Sequence, residues 1–139
     1  MYVNRFRVSR MMANPEGAMQ ADDRRKSDVA LKTFFRITDG WGLSSQQQKV
    51  LLGDPPRTTF YKWRNGEGPT LTRDTLERIS YVLGIYKALR ILFPTEEQAN
   101  AWPKKENRDF DGDSALDVML KGSVINLADV RRYLDYMRG

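Results

Sequence analysis

Between Arg57 and Asn65 the chain carries Arg57, Thr58, Thr59, Lys62 and Arg64 and no acidic residue. Cations and hydroxyls in that mixture suit phosphate oxygens and base edges, and an arginine can fork onto a guanine. Phe60 and Trp63, three residues apart, would turn inward on one side of a short helix. The five polar residues are then left to solvent or to DNA. Gln46, Gln47 and Lys49 stand just upstream, on a preceding helix from which they could touch a DNA backbone. The same pattern also describes a plain helical hairpin with a solvated basic face, and residue types alone do not separate the two.

A second group with chemical potential is Asp109, Asp111 and Asp113, spaced like the first ligands of a calcium-binding loop. The rest of that motif is missing. Gly112 falls at the fourth position rather than the sixth, and Leu120 stands where the closing glutamate is needed. These aspartates are read as a polar loop before a capped helix, and no metal site is expected. The chain has no His and no Cys. It therefore lacks the side chain most used for proton transfer near neutral pH, the thiolate, and the commonest zinc ligands. Neither a catalytic centre nor a cofactor is expected, and the chain does not read as an enzyme. Trp41, Trp63 and Trp102 each precede a helix end and are read as core anchors rather than as a platform for stacked bases.

The elements that must hold these residues read as helices almost throughout, without the alternation of a strand. Val29, Leu31, Phe34, Phe35 and Ile37 predict a first amphipathic helix from about Ser27, as its cap, to about Asp39, ended by Gly40. Ser44 and Ser45 precede Gln47 and Gln48 in the Ser-x-x-Gln arrangement of a capping box, for a second helix that stops at Gly53. Asp54-Pro55-Pro56 forces a turn, and Pro56 suits the start of the helix carrying Arg57 to Arg64. Helix, tight turn and basic second helix are the parts of a major-groove reader. Thr72 starts a long central helix. Leu76, Ile79, Leu83 and Tyr86 line one of its sides, and Val82, Ile85, Leu89 and Leu92 another, so it should be buried. Gly84 inside it costs about 1 kcal/mol relative to Ala and marks a point where it could break. Thr95 with Gln98 starts a short helix closed at Pro103, and Ser114 with Asp117 starts another that ends at Gly122. Asn126 caps a last helix whose core face is Leu127, Val130, Leu134 and Met137. Arg131, Arg132, Tyr133, Asp135, Tyr136 and Arg138 then project from it, with Gly139 at its tip, either as an interface or as a solvated face.

Charge divides the chain. The net charge is +5, yet residues 95–139 hold seven basic and nine acidic side chains. The basic first two-thirds suit a polyanion and the last third does not. No apolar run approaches the roughly 18–20 residues that span a bilayer, and no membrane association is expected. The first fourteen residues carry three Arg and no acid. They lack the apolar stretch of a secretory signal, so residues 1–26 are read as a flexible basic arm, with Met11 and Met12 as alternative starts.

In order along the chain, Trp41-Gly-Leu-Ser, Leu51-Leu-Gly, Thr59-Phe-Tyr-Lys-Trp-Arg and Leu76-Glu-Arg-Ile-Ser are followed by Leu83-Gly-Ile-Tyr-Lys-Ala-Leu and Ala101-Trp-Pro. Phe110-Asp-Gly-Asp-Ser-Ala-Leu-Asp, Met119-Leu-Lys-Gly and Val130-Arg-Arg-Tyr-Leu-Asp complete the series. This series resembles the Xre-like antitoxins of RES-type bacterial toxin–antitoxin systems, over about residues 28–139. Pro55-Pro56, and Asp111 where the family often has Gly, depart from the pattern. The resemblance implies an all-α protein in which a helix–turn–helix bundle of the Cro/repressor type precedes a small helical toxin-binding domain. Residues 27–94 would bind operator DNA and dimerise, and residues 95–139 would bind the toxin. The chain's surplus of apolar helix surface, beyond what one short bundle covers, places the dimer contact on the first and central helices. The implied function is an antitoxin that neutralises an NAD-degrading RES-domain toxin and represses its own operon, as a cytoplasmic, nucleoid-associated homodimer. Under that resemblance Arg131, Arg132, Tyr133, Asp135, Tyr136, Arg138 and Gly139 become the toxin-contact candidates. The rival reading is a stand-alone helix–turn–helix regulator with no toxin partner.

Overall fold

A computed structural model describes the backbone of residues 15–139 and the side chains of residues 23–139. The described residues form seven α-helices, two short 3-10 turns and one isolated bridge, Glu106 to Ser114. The helices are α1 Pro15–Gly40, α2 Ser45–Leu51, α3 Arg57–Arg64, α4 Arg73–Leu92, α5 Glu96–Ala101, α6 Ala115–Met119 and α7 Val124–Arg138. The all-α architecture expected from the periodicity is the one observed.

Capping chemistry sets most of the starts. Ser44 and Gln47 close a reciprocal capping box at α2, and Ser114 and Asp117 do the same at α6. Thr72 and Thr95 accept the Thr75 and Gln98 backbone N–H groups at α4 and α5. Two starts differ from the expectation. Ser27 does not cap α1, which begins at Pro15 and runs through a stretch of good helix formers. Ser27 is buried inside that helix, where its hydroxyl accepts the Leu71 N–H at 3.4 Å. The boundary expected at residue 26 thus falls within a helix, and the remainder of the expected arm, residues 1–14, lies outside the described residues. At α7 the cap is Ser123, with Asn126 as its reciprocal partner rather than as the cap itself.

The turn between α2 and α3 is tight because Gly53 (φ 95°) and Asp54 (φ 57°) both take left-handed backbone. Asp is among the few side chains that tolerate that region. Pro56 then sits at the N-cap of α3 rather than at its first helical position.

α4 is the axis of the bundle: α1 packs on it, and α7 covers it more extensively than any other pair of elements meets. Ile79, Val82, Ile85, Ala88 and Leu89 are at most 1% exposed, while Leu76, expected on the buried stripe, lies at the surface. From α1 the core receives Phe34 and Phe35, whose rings meet edge-on, and Phe35 continues edge-on to Phe60 of α3 at 5.7 Å. Leu127, Val130 and Leu134 of α7 close the same core. Burying each such side chain contributes about 1.5–3 kcal/mol relative to exposure. Met137 departs from the expectation. Every residue of α7 beyond Leu134 is exposed, because the last turn runs past the elements it could pack on. α4 passes through Gly84 without a break. Lys104 ties the 3-10 turn Trp102–Lys104 to the end of α1 by donating to the Gly42 carbonyl at 2.7 Å.

Candidate nucleic-acid and partner interfaces

Helices α2 and α3 with their tight turn form the helix–turn–helix, and α3 is held by Phe60 and Trp63, both buried. The Trp63 indole N–H donates to the Pro69 carbonyl at 2.9 Å. At 100° per residue, anchoring through Phe60 and Trp63 turns Thr58, Tyr61, Lys62 and Asn65 outward. Arg57, Thr58 and Lys62 are exposed as expected, and Thr59 is half-buried.

Arg64 is not left free for a phosphate as the sequence suggested. Its guanidinium pairs with the Asp39 carboxylate of α1 at 2.9 Å and covers the Phe35 ring at 4.5 Å. Asp39 in turn accepts from Gln48 at 2.8 Å, and Gln48 also donates to the Thr38 hydroxyl at 2.9 Å. Gln48 is 2% exposed, so a buried polar network locks α1, α2 and α3 together. On α2, Gln46 is exposed. Gln47 turns its amide oxygen to the Ser44 N–H, and Lys49 pairs with Asp54 at 3.1 Å. Sequence reasoning missed Tyr61, which is 42% exposed on the outward side of α3. Its offset of one residue from Phe60 was the available signal.

The second face is on α7. Ile125, Asp129, Arg132 and Tyr136 follow each other at spacings of four, three and four, so they line the side opposite Leu127, Val130 and Leu134. Ile125 is 66% exposed and Tyr136 82%. Between them Arg132 pairs with Asp129 at 3.3 Å. Ile125 was not among the residues singled out in the sequence.

Of the expected projecting residues, Arg132, Asp135, Tyr136, Arg138 and Gly139 are exposed. Arg131 instead lies over α4 and bonds Asp135 through both carboxylate oxygens at 3.0 Å. Asp135 also faces Arg138 at 3.7 Å. Tyr133 is half-buried. Its ring stacks on Trp102 and packs on Phe110, and its hydroxyl donates to the Asp109 carboxylate at 2.7 Å. Asn107 donates to the Tyr133 hydroxyl oxygen at 3.5 Å, which favours the phenolate. Burial and the Asp109 hydrogen bond and charge outweigh it, and the Tyr133 pKa is raised.

Asp111 takes left-handed backbone at the end of the second 3-10 turn, Arg108–Phe110, and Asn107 caps that turn. That conformation is easiest for glycine, and Asp is among the few other residues that tolerate it. Among the described residues no group of side chains has the arrangement of a metal site, and no helix is long and apolar enough to cross a membrane.

A helix–turn–helix with a basic, acid-free second helix, joined to a helical unit with an open outer face, defines a DNA-binding regulator. Residues 20–84 match the antitoxin Xre-like helix-turn-helix domain, and residues 88–139 match the antitoxin Xre/MbcA/ParS C-terminal toxin-binding domain. The chain belongs to the Xre-type antitoxins of toxin–antitoxin systems. It is 50% identical over 123 residues to the uncharacterized protein y4oB of Sinorhizobium fredii (strain NBRC 101917 / NGR234), covering 88% of this chain and 95% of that protein. No solved structure matches it.

Proposed function

We propose that this antitoxin neutralises a RES-domain toxin that degrades NAD, and that it represses its own operon by binding operator DNA. The observation that carries the toxin half is the outer stripe of α7. Two large apolar side chains, Ile125 and Tyr136, stand open at either end of an Arg132–Asp129 pair, within residues that match a toxin-binding domain. Exposed aromatic and arginine side chains on a rigid helix are the usual anchors of a protein interface. In this reading residues 95–139 carry the toxin contact, and residues 27–94 carry DNA binding and self-association. Function thus divides where the core does not.

The homodimer reading is supported by large apolar side chains exposed on the two helices expected to pair. Val29 on α1 is 60% exposed, and Leu76 and Ile91 on α4 are 36% and 62% exposed. With toxin and operator as partners, the protein works in the bacterial cytoplasm at the nucleoid.

Co-expression with the product of the adjacent gene tests the proposal. A tagged antitoxin should co-purify with a RES-domain protein, restore growth and restore cellular NAD. If that protein depletes NAD equally with and without the antitoxin, the proposal fails and a stand-alone regulator replaces it.

A further inference from the structure

We propose that Tyr61 is a specificity-determining residue that reads the C5-methyl group of a thymine, beside a guanine read by Arg57. This deepens the DNA-binding reading above and rests on it. The argument begins from the cost of the side chain. Tyr61 is 42% exposed on a helix whose other outward residues are polar, and its hydroxyl has no hydrogen-bond partner among the described residues.

The ring is nevertheless held. Phe60 meets it edge-on at 5.3 Å, and the Arg57 guanidinium lies 5.6 Å from its centroid, one turn toward the start of the helix. A ring held on two sides loses little freedom on binding, so the contact it offers is pre-organised. Arg57 and Tyr61 also line one side of a cleft of about 280 Å3, whose opposite wall is Ser45, Gln46 and Lys49 of α2 and its start. No acidic residue lines that cleft, so a polyanion meets no repulsion there.

The major-groove edges of the bases carry a single apolar group, the thymine methyl, and the rest is donors and acceptors. An aromatic ring whose hydroxyl has no hydrogen-bond partner among the described residues matches that methyl. A guanidinium beside it matches the O6 and N7 of guanine. Residues four apart sit about 6 Å apart along the helix, close enough for neighbouring base pairs in one groove. A phosphate contact through the Tyr61 hydroxyl is the competing use of the same side chain, and it predicts a different response to removal of that hydroxyl.

The full-length protein is used to select a duplex from a random pool. Each thymine in the selected sequence is then replaced in turn by deoxyuridine, which removes only the methyl. At one thymine the replacement should weaken binding of the parent and of Tyr61→Phe about four-fold, the worth of one buried methyl-sized group. In Tyr61→Ala, with unchanged melting temperature, the same replacement should have no effect. The proposal is overturned if no thymine methyl matters to the parent, or if the methyl effect survives in Tyr61→Ala. It is equally overturned if Tyr61→Phe loses as much affinity as Tyr61→Ala, which would mark a phosphate contact. A parent that enriches no sequence would remove the DNA-binding reading together with it.

Discussion

The guanidinium of Arg131 on α7 occupies the space that a side chain at Gly84 of α4 would fill. Gly84 therefore serves the docking of the last helix, and its backbone conformation is ordinary helix. Arg131 remains one-third exposed, so its charge stays hydrated while its stem packs.

This pair is testable by a double-mutant cycle. Gly84→Ala in an Arg131→Ala background should stabilise by about 0.5–1 kcal/mol through helix propensity. In the parent background the gain should vanish, because the new methyl displaces the guanidinium. A coupling of about 1 kcal/mol is expected from chemical denaturation, and additive effects would show that the two residues do not share that space.

Operator binding should depend differently on the three cations of α3. Lys62→Gln should lower the salt dependence of affinity by about one unit, Arg57→Gln should relax the preference for one guanine, and both should leave stability within about 0.5 kcal/mol. Arg64→Gln should instead cost about 0.5–1 kcal/mol of stability, with solvent screening already discounted, because it loses Asp39 and the Phe35 ring. Conversely, Asp39→Asn frees Arg64 and should raise affinity for non-specific DNA at low salt. Gel shifts across a salt series, beside thermal melts, separate these outcomes.

Toxin capture should be lost by point substitutions that leave the core alone. Tyr136→Ala and Ile125→Asp remove open side chains, so melting temperature should hold while co-purification with the toxin falls at least ten-fold, the scale of an interface anchor. Deleting the chain after Ala128 is a poor substitute, since Val130 and Leu134 are at most 1% exposed and the deletion opens the core.

Tyr133 gives a pH dependence. Its ordinary pKa is 10.0 and the folded value is raised, so the folded state holds the proton more tightly than the unfolded one. The stability this contributes is fully present below the unfolded value and is lost as pH rises through the folded one. Tyr133→Phe should flatten the dependence of unfolding free energy on pH in that alkaline window. A parent and variant with parallel alkaline profiles would show that Tyr133 does not titrate as argued.

What was legible in the sequence was mostly local. The capping pairs at Ser44, Thr72, Thr95 and Ser114 involve residues three apart, and each was found where it was expected. The departures needed partners distant in the chain. Ser27 looks like a cap until Leu71 reaches it from 44 residues away. Arg64 reads as a free cation until Asp39, 25 residues upstream, takes it. Arg131 and Tyr133 read as projecting until α4 and the aromatic pair of Trp102 and Phe110 draw them in. Met137 continues the apolar period, but periodicity carries no information about where the neighbouring helices end.

The covering of α4 by α7 also bears on how the molecule comes into being. Leu127, Val130 and Leu134 of α7 are added only after α1 to α6 have been made, and they complete the core. A nascent chain lacking them would present the apolar side of α4 uncovered, open to chaperones and proteases. Synthesis must therefore run past Leu134, and α7 must leave the exit tunnel, before the core can close. Every copy that reaches a stable fold then already carries α7, so the helix–turn–helix and the last helix mature together.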